Sequence, residues 1–226
     1  MKKCNEKPIL FSGEMVRAIL DGRKTQTRRV VKPQAEKYTG DILGQPVIYP
    51  WRNGGYDAKP IKCPYGKPGE ELWVRETFTY GYDLNDAHPE CAVFDFGDPD
   101  MIFAPGENKE TRHYARAWSQ RKPGIYMPRW ASRIQLQVKD IKVKRVQDIT
   151  ESDAIAEGLT YLPNAKRWGV WDQTNCTIDG RARMTEHFES PVDAFAHLWD
   201  SINRKRGYGW DKNPWVWVVT FERIRP

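Results

Sequence analysis

The hydrophobic positions near the N-terminus follow helical spacing over residues 12–21. This spacing places the apolar side chains on one side of a short helix. Ser12 is expected to cap the first turn with its hydroxyl, and Gly22 is expected to end the helix in the left-handed conformation. Short apolar runs lie on either side, at residues 8–11 and 30–31. The pattern therefore predicts a strand, a helix and a second strand.

Helical spacing returns in two later stretches of the chain. Residues 149–158 begin with Thr150 and Asp153, which resemble a capping box, and they end at Gly158. Residues 191–203 start with a proline, which suits the first turn of a helix, and carry a second apolar stripe. We therefore predict a short second helix and a longer third helix.

Strand spacing dominates three other stretches, at residues 72–78, 132–146 and 214–224. The last of them is almost continuously apolar, which predicts a strand that is partly buried on both faces. In the middle one, the alternation changes parity near Lys139 and Asp140. A change of parity predicts a bulge or bend, and a long bent strand suits a small closed barrel.

The stretches between these elements are rich in turn residues and lack regular spacing. They predict loop-rich insertions at about residues 33–68, 79–128 and 160–190. No internal repeat or flexible linker divides the remaining sequence. We therefore predict a single domain over residues 1–226, of the α+β class.

The charge balance narrows the expected partners. The chain has 226 residues and a formal net charge of +6 at pH 7. A positive balance favours an anionic partner, nucleic acid first, although ordinary solubilising charge also explains it. No apolar run is long enough to cross a bilayer, and no signal-peptide core follows the first residues. We expect a cytoplasmic protein with no membrane partner, and the sequence leaves its oligomeric state open.

The motifs of several enzyme classes are missing from the sequence. The four cysteines and four histidines are scattered, without the close-spaced pairs that are typical of zinc sites. There is also no phosphate-binding loop of the Walker type, no HExxH and no GxSxG. We therefore expect free thiols, no metal site and no cofactor.

A basic turn that also carries hydroxyl groups follows the first predicted helix. It contains the pattern Gly22-x-Lys24-x-x-Thr27-x-Arg29. If the run is extended, Thr27 and Arg29 point to the same face. One interpretation is a solvated basic surface, because Lys and Arg are favoured near the C-terminal end of a helix. The other interpretation is a functional site.

The order of residues in this turn resembles the signature of the ASCH superfamily, which comprises small β-barrels related to the RNA-binding PUA domains. That family often has an acidic residue where this chain has Thr27. A Lys, Thr and Arg at these spacings is similar to the bacterial ASCH enzymes that hydrolyse N4-acetylcytidine. Residues 69–78 resemble the longer phage or prophage members of the superfamily.

The resemblance implies a fold as well as a site. It covers the segments that carry the predicted strands and the first two helices, at residues 8–32, 69–78, 132–158 and 215–224. It implies a small mixed PUA-like β-barrel with flanking short helices and loop-rich insertions. The insertions have no counterpart in the short enzymes, so they leave the size of the substrate open.

The resemblance also implies three catalytic residues, Lys24, Thr27 and Glu157. Amide hydrolysis needs a nucleophile, a base and an acid for the leaving amine. Lys24 is expected to act as the base if burial or nearby cations lower its pKa. Thr27 is expected to act as the nucleophile or to orient a water, and Glu157 to relay a proton to the leaving amine.

The sequence gives Glu157 an unusual position. It lies in the last turn of the predicted second helix, where a carboxylate faces the negative end of the helix dipole. Such a placement costs about 0.3–1 kcal/mol. The position is therefore either tolerated or retained for a function, and the resemblance supplies a function.

Five residues are expected to contact a substrate or nucleic acid: Arg23, Arg28, Arg29, Arg75 and Glu76. Arg29 is expected to hold an oxyanion or a phosphate. Arg75 and Glu76 are adjacent on the predicted strand at residues 72–78, where the alternative is an exposed face that forms ion pairs.

The favoured function is metal-independent hydrolysis of an N4-acylated cytidine-like base, in a nucleoside or in RNA or single-stranded DNA. Two alternatives stay open. One is a module that binds RNA or a base without chemistry, and the other is a ribonuclease in which the same cations stabilise a phosphorane. For the hydrolase, alanine variants of Lys24, Thr27 and Glu157 are expected to lose activity with little change in melting temperature.

Overall fold

The structure is a computed structural model of the chain. It describes residues 6–34, 37–38, 47–48, 50–52, 55–56, 61–82, 89–94, 102–103, 117–118, 120–176 and 182–224.

A five-stranded sheet forms the centre of the described structure. Its strands are β1 (Lys7–Leu10), β2 (Gln26–Val30), β3 (Glu71–Arg75), β4 (Gln135–Arg145) and β5 (Trp215–Ile224). The order across the sheet is β1-β3-β4-β5-β2. The pair β1 and β3 is parallel, and the other three pairs are antiparallel. Because β2 lies at one edge of this sheet, no strand of the sheet pairs with its outer side, and residues from other segments can pack there.

Three α-helices accompany the sheet: α1 (Gly13–Leu20), α2 (Glu151–Ala156) and α3 (Pro191–Asn203). Four short 3-10 helices span Gly124–Tyr126, Arg129–Ala131, Arg204–Arg206 and Trp210–Lys212. The three α-helices confirm the three stretches that the apolar spacing predicted.

The helix caps agree with the sequence in part. The Thr150 side chain accepts a hydrogen bond from the Asp153 amide, as the capping pattern predicted. Gly22 and Gly158 have φ of 74° and 94°, which confirms both left-handed ends. The prediction for Ser12 is wrong in detail. Ser12 occupies the N-cap position, but its hydroxyl makes no capping hydrogen bond, and its backbone carbonyl accepts from the Val16 amide.

The bend predicted in the long strand is present. The pairing of β4 with β5 shifts register between Val138 and Asp140, where the alternation of the sequence changes parity. Val138 and Ile141 are nevertheless both buried in the same apolar cluster. The bulge therefore keeps apolar side chains on the core face after the parity change.

Two apolar clusters lie on opposite faces of the sheet. Along β5, Trp217, Val219 and Phe221 belong to the cluster that includes residues of α1. Val216 and Val218 belong to the cluster that includes residues of α3. Fully burying a side chain of this kind stabilises a protein by about 1.5–3 kcal/mol. The burial of β5 on both faces, which its apolar sequence predicted, therefore anchors both helices to the same strand.

The regions predicted as loop-rich insertions contain short strands. These pair in small separate sheets and span Lys37–Tyr38, Val47–Ile48, Pro50–Arg52, Gly55–Tyr56, Ile61–Lys62, Phe78–Tyr82, Pro89–Phe94, Ile102–Phe103, Ala117–Trp118, Thr160–Leu162, Arg167–Cys176 and Ala182–Phe188. The interpretation of residues 160–190 as an irregular insertion is wrong, since most of this stretch forms a three-stranded antiparallel sheet. The many turn residues in this stretch indicated loops, so the strands between them were not predicted from the sequence.

The fold is mixed α+β, as the sequence predicted, with a strand-rich sheet and few short helices. The strands β1 and β2 form the two edges of the central sheet. In the described part of the chain no ladder joins these edges, so the predicted closed barrel is not confirmed. None of the helices in that part is both long and apolar enough to cross a membrane.

Candidate functional site

The turn after α1 places Lys24 next to the C-terminal end of α2. The amides of Arg23 and Lys24 both donate to the Ala18 carbonyl, which closes the end of α1. The Thr25 amide donates to the Ala156 carbonyl, and Lys24 forms an isolated antiparallel bridge with Glu157. Two segments that are distant in the sequence therefore meet through their backbones, and their side chains meet as a result.

Lys24 and Glu157 form a buried ion pair. Lys24 Nζ donates to Glu157 Oε2 at 2.8 Å, to the Glu157 carbonyl at 2.7 Å and to the Gln26 carbonyl at 2.9 Å. The exposed fractions of the two side chains are 0% and 4%. Three acceptors match the three protons of an ammonium group. The interpretation of Lys24 as part of a solvated basic surface is therefore wrong.

Arg28 completes the network on the other side of Glu157. Its guanidinium donates to Glu157 Oε1 at 3.2 Å, to Gln26 Oε1 at 2.6 Å and to Asp153 Oδ2 at 2.9 Å. It also lies 5.7 Å from the centre of the Phe195 ring. Two cations thus hold the carboxylate of Glu157. They compensate for its unfavourable place at the end of α2.

Burial and charge act in opposite directions on this network. Burial lowers the pKa of Lys24, and the carboxylate of Glu157 opposes that effect. Burial raises the pKa of Asp153, but the Arg28 guanidinium and the hydrogen bonds from Gln26 and Thr150 outweigh it and lower the pKa overall. The aspartate is therefore held in its charged form next to Arg28.

Gly158 makes the close approach of the two segments possible. A Cβ at this position would lie 2.8 Å from the Ala18 Cβ and 2.9 Å from the Lys24 Cβ, and the φ of 94° strains any other residue. We expect Gly158→Ala to lower the free energy of unfolding by about 2–4 kcal/mol, from backbone strain and overpacking together.

Gly22 offers a matched control for this prediction. Its φ of 74° is also left-handed, but a Cβ there would meet nothing within 4 Å. Gly22→Ala should therefore cost only the backbone strain, about 1–2 kcal/mol. Urea unfolding of both variants separates the two contributions. Equal losses would show that Gly158 has no packing role.

A cavity of about 180 Å³ lies beside the edge strand β2. Its walls come from α1, β2, the residue after α2, α3 and the segment that follows α3. The lining includes polar and aromatic side chains, among them Thr27, Arg29, Glu157, Trp199, Asn203 and Tyr208. Drug-sized ligands occupy pockets of about 300–1,000 Å³, so this cavity suits a smaller group such as a single base.

Thr27 presents its hydroxyl at the cavity without a protein partner. The residue is 2% exposed and lines the cavity together with Glu157. Among the described residues, none forms a hydrogen bond with the Thr27 side chain. The oxygen itself is not completely buried, so a ligand or water can reach it and satisfy it. The Thr27 hydroxyl is thus available to a molecule in the cavity.

Arg29 extends the cationic wall of the cavity. Its Nη2 donates to the Leu10 carbonyl at 2.6 Å, and its guanidinium lies 5.1 Å from the centre of the Phe11 ring. Its Nε is buried without a hydrogen-bond partner. Burial lowers the pKa of Arg29, and Tyr65 and Glu157 oppose this effect while Arg206 adds to it.

The structure brings together five of the residues that the sequence singled out. Lys24 contacts Glu157, and Thr27, Arg28, Arg29 and Glu157 share the cavity wall. Lys24 lies behind Glu157 and is not itself part of the wall. Arg28 lines the cavity, and its two terminal nitrogens donate to protein acceptors although its Nε has none. These bonds position Glu157.

The other three predicted residues lie outside the cavity wall. Arg23 donates to the Gly158 carbonyl at 3.0 Å and pairs with Asp21, which fixes the turn. Glu76 is 2% exposed and binds Arg133 through two hydrogen bonds of 2.9 Å. The Arg75 guanidinium lies 4.6 Å from the centre of the Trp73 ring. These contacts give the three residues structural roles.

Several residues of the cavity escaped sequence analysis. They share a position on or after α3: Phe195, Trp199, Asn203, Arg206 and Tyr208. The sequence carries one signal there, a basic run at residues 204–206 directly after the third predicted helix. The helix α3 packs against strands that are distant in the sequence. The sequence pattern therefore did not predict which residues of the sheet α3 contacts.

The described part of the chain contains no group of three or more His, Cys, Asp and Glu side chains arranged to hold a metal ion. Within the same residues, Cys63 is a buried free thiol, and burial raises its pKa to about 11. Of the predicted free thiols, Cys4 lies outside the described residues.

Comparisons of the chain with protein-family models, with curated proteins and with solved structures found no match. The fold and the site thus define this chain as a mixed α+β protein with a small cationic cavity beside a buried Lys–Glu pair.

Proposed function

We propose that this protein is an ASCH-like amidohydrolase that removes the acyl group from N4 of a cytidine-like base, without a metal ion. The observation that carries the proposal is the pairing of two features in one cavity wall. The Thr27 hydroxyl has no partner among the described residues, and the Glu157 carboxylate is held by Lys24 and Arg28. Hydrolysis of an amide needs a positioned hydroxyl and a group that moves a proton.

The geometry favours Glu157 rather than Lys24 as the group that exchanges the proton. Lys24 Nζ donates to three acceptors and lies behind Glu157, whereas Glu157 lines the cavity. Lys24 then acts through Glu157, because its ammonium donates to the carboxylate and orients it. Lys24 was expected from the sequence to be the base, and here it positions Glu157 instead. The proposed site still consists of Lys24, Thr27 and Glu157.

The reaction balances with one water molecule. The attacking oxygen, from Thr27 or from a water that Thr27 orients, bonds to the acyl carbon and gives its proton to Glu157. The bond between the acyl carbon and N4 then breaks, and Glu157 returns the proton to N4. If Thr27 is the nucleophile, a water molecule later hydrolyses its ester. The products are cytidine and the carboxylic acid.

The aromatic residues of the cavity support a flat ligand. Phe195 and Trp199 are buried, and Tyr65 and Tyr208 are half-buried. Aromatic faces stack on bases of any sequence. The Asn203 Nδ2 donates to the Trp199 carbonyl at 3.2 Å, so its Oδ1 is left as an acceptor. We propose further that the central sheet belongs to a PUA-like barrel, supported by the bulge in β4.

Turnover of N4-acetylcytidine tests this function. Purified protein should release acetate and cytidine in equal amounts, and added chelator should leave the rate unchanged because no step needs a metal ion. N4-acetyl-2′-deoxycytidine and other N4-acylcytidines complete the panel. An absence of acid release from every substrate would contradict the proposal.

A binding module is the second candidate, and one observation favours it. All three protons of the Lys24 ammonium are satisfied within the protein, as in a purely structural ion pair. In that case N4-acetylcytidine binds in the cavity without turnover. Isothermal titration calorimetry beside the turnover assay distinguishes the two functions.

A further inference from the structure

Three cationic side chains lie along the cavity wall. Arg29, Lys32 and Arg206 all line the cavity. Arg29 and Lys32 lie at and just beyond the end of β2, and Arg206 lies in the 3-10 helix that follows α3. Like charges repel, so an anion bound among these side chains would be favourable.

Two of these cations form no ion pair with a described residue, since no carboxylate in that part of the chain lies within ion-pair distance of Lys32 or Arg206. The neighbouring basic residue Arg204 contrasts with them, because it pairs with Asp200. The buried Nε of Arg29 is also without a hydrogen-bond partner. The three cations therefore keep donors available for a ligand.

Aromatic rings hold two of these cations at the cavity. Lys32 Nζ lies 5.5 Å from the centre of the Tyr208 ring, and Arg29 rests against Phe11. The Tyr208 carbonyl accepts from Trp199 Nε1 at 2.8 Å, which anchors the segment after α3 to the helix. Arranged donors lose less freedom on binding than long side chains that extend into solvent.

We propose that Arg29, Lys32 and Arg206 form a phosphate subsite, so that the ligand of this cavity is a nucleotide and not a free nucleoside. This inference rests on the proposed function, since it uses the same cavity for the base. Thr27 and Arg29 are two residues apart on one strand, or about 7 Å. A ribose bridges that separation, which places the base beside Thr27 and Glu157 and the phosphate beside Arg29.

Binding of two ligands that differ only in the phosphate tests the subsite. Calorimetry in phosphate-free buffer at low salt should show cytidine 5′-monophosphate binding roughly tenfold or more tightly than cytidine. The difference should shrink as salt is added, because the cations at the mouth are exposed and screened. Equal affinity of the two ligands would overturn the subsite while leaving the base cavity intact.

Two variants, one at the subsite and one beside it, assign the effect to this site. The double variant Lys32→Ser/Arg206→Ser should lose the advantage of cytidine 5′-monophosphate and bind cytidine as the wild type does. Lys205→Ser removes an exposed cation next to Arg206 that does not line the cavity, and it should keep the advantage. If the double variant binds cytidine 5′-monophosphate as tightly as Lys205→Ser does, the subsite is wrong.

A third ligand, a short oligocytidylate, tests whether the phosphate belongs to a mononucleotide or to a polymer. Tighter binding of the oligomer than of the monophosphate, lost in the double variant, would support the subsite with a polymer as its ligand. Weaker binding of the oligomer than of the monophosphate would support the subsite with a mononucleotide as its ligand. Binding of neither cytidine nor its monophosphate would overturn the subsite and the proposed function together. Phosphate-dependent binding without acid release would support the subsite and contradict only the hydrolase.

Discussion

Replacing Lys24 with methionine is expected to lower the free energy of unfolding by about 3–5 kcal/mol, because removal of one partner leaves a buried charge uncompensated. Methionine has a similar length but carries no donor. Glu157 Oε2 and the carbonyls of Gln26 and Glu157 would lose their partner. Small domains have a total stability of about 5–15 kcal/mol, so the loss would be visible in urea unfolding.

Two further variants control this measurement. Glu157→Gln removes the other charge, and the double variant with Lys24→Met should cost less than the sum of the two single changes, with a coupling of about 0.5–3 kcal/mol. Lys205→Met changes an exposed residue and should stay within about 0.5 kcal/mol of the wild type. A Lys24→Met variant as stable as the wild type would show that the ion pair does not hold the site together.

The burial of the pair corrects one expectation from the sequence. The loss of Lys24 or Glu157 was expected to leave the melting temperature nearly unchanged. Both side chains are almost completely buried, so their variants change stability as well as activity. Thr27 is different, because its hydroxyl has no partner among the described residues. It offers the cleaner test of chemistry.

Thr27→Val is therefore expected to lower kcat by at least about 10²-fold, because the attacking oxygen or the group that orients it is lost, and a misplacement of about 1 Å already has an effect of that size. Valine keeps the branched shape and replaces the hydroxyl with a methyl group. Because the hydroxyl forms no hydrogen bond with a described residue, the free energy of unfolding should change by less than about 1 kcal/mol. Initial rates of acetate release and a urea titration check the two parts.

Thr27→Ser is the matched control for this variant. Serine keeps the hydroxyl and loses only the methyl group, so it should retain far more activity than valine does. A kcat that decreases from the wild type to Thr27→Ser and again to Thr27→Val would support a role for the hydroxyl itself. If the valine variant hydrolyses N4-acetylcytidine as fast as the wild type, Thr27 neither attacks the acyl carbon nor orients a water.

Local features of the fold were predictable from the sequence. The bulge in β4 follows from a parity change near Lys139, and the ends of α1 and α2 follow from Gly22 and Gly158. These features depend on a few neighbouring residues, so the pattern determines them. The proximity of Lys24 and Glu157 was also anticipated, but from family resemblance, since 133 positions separate the two residues in the chain.

Long-range features were not predictable in the same way. Arg28 was assigned to substrate binding, yet it holds Glu157 and Asp153, because partners from another segment decide where a guanidinium donates. Glu76 was assigned similarly, yet it pairs with Arg133. The wall formed by α3 and Arg206 depends on how a helix packs on the sheet. Apolar spacing predicts which face packs, but not which partner it meets.

The same limit applies to the hydroxyl of Ser12. A serine before a helix is a strong signal for a capping hydrogen bond. Here the backbone carbonyl of Ser12 closes the first turn of α1, and the side chain takes no part. The signal predicts the start of the helix correctly, whereas the contact depends on the side-chain rotamer.

In the proposed complex, the acyl group of the substrate lies between Thr27 and Glu157. A crystal structure of the Thr27→Val variant soaked with N4-acetylcytidine tests it most directly, because this variant is expected to bind the substrate without cleaving it. We expect the acyl carbon about 3–3.5 Å from the place of the missing hydroxyl oxygen, with N4 within hydrogen-bond distance of Glu157. A base bound outside the cavity, or an acyl group turned away from both residues, would contradict it.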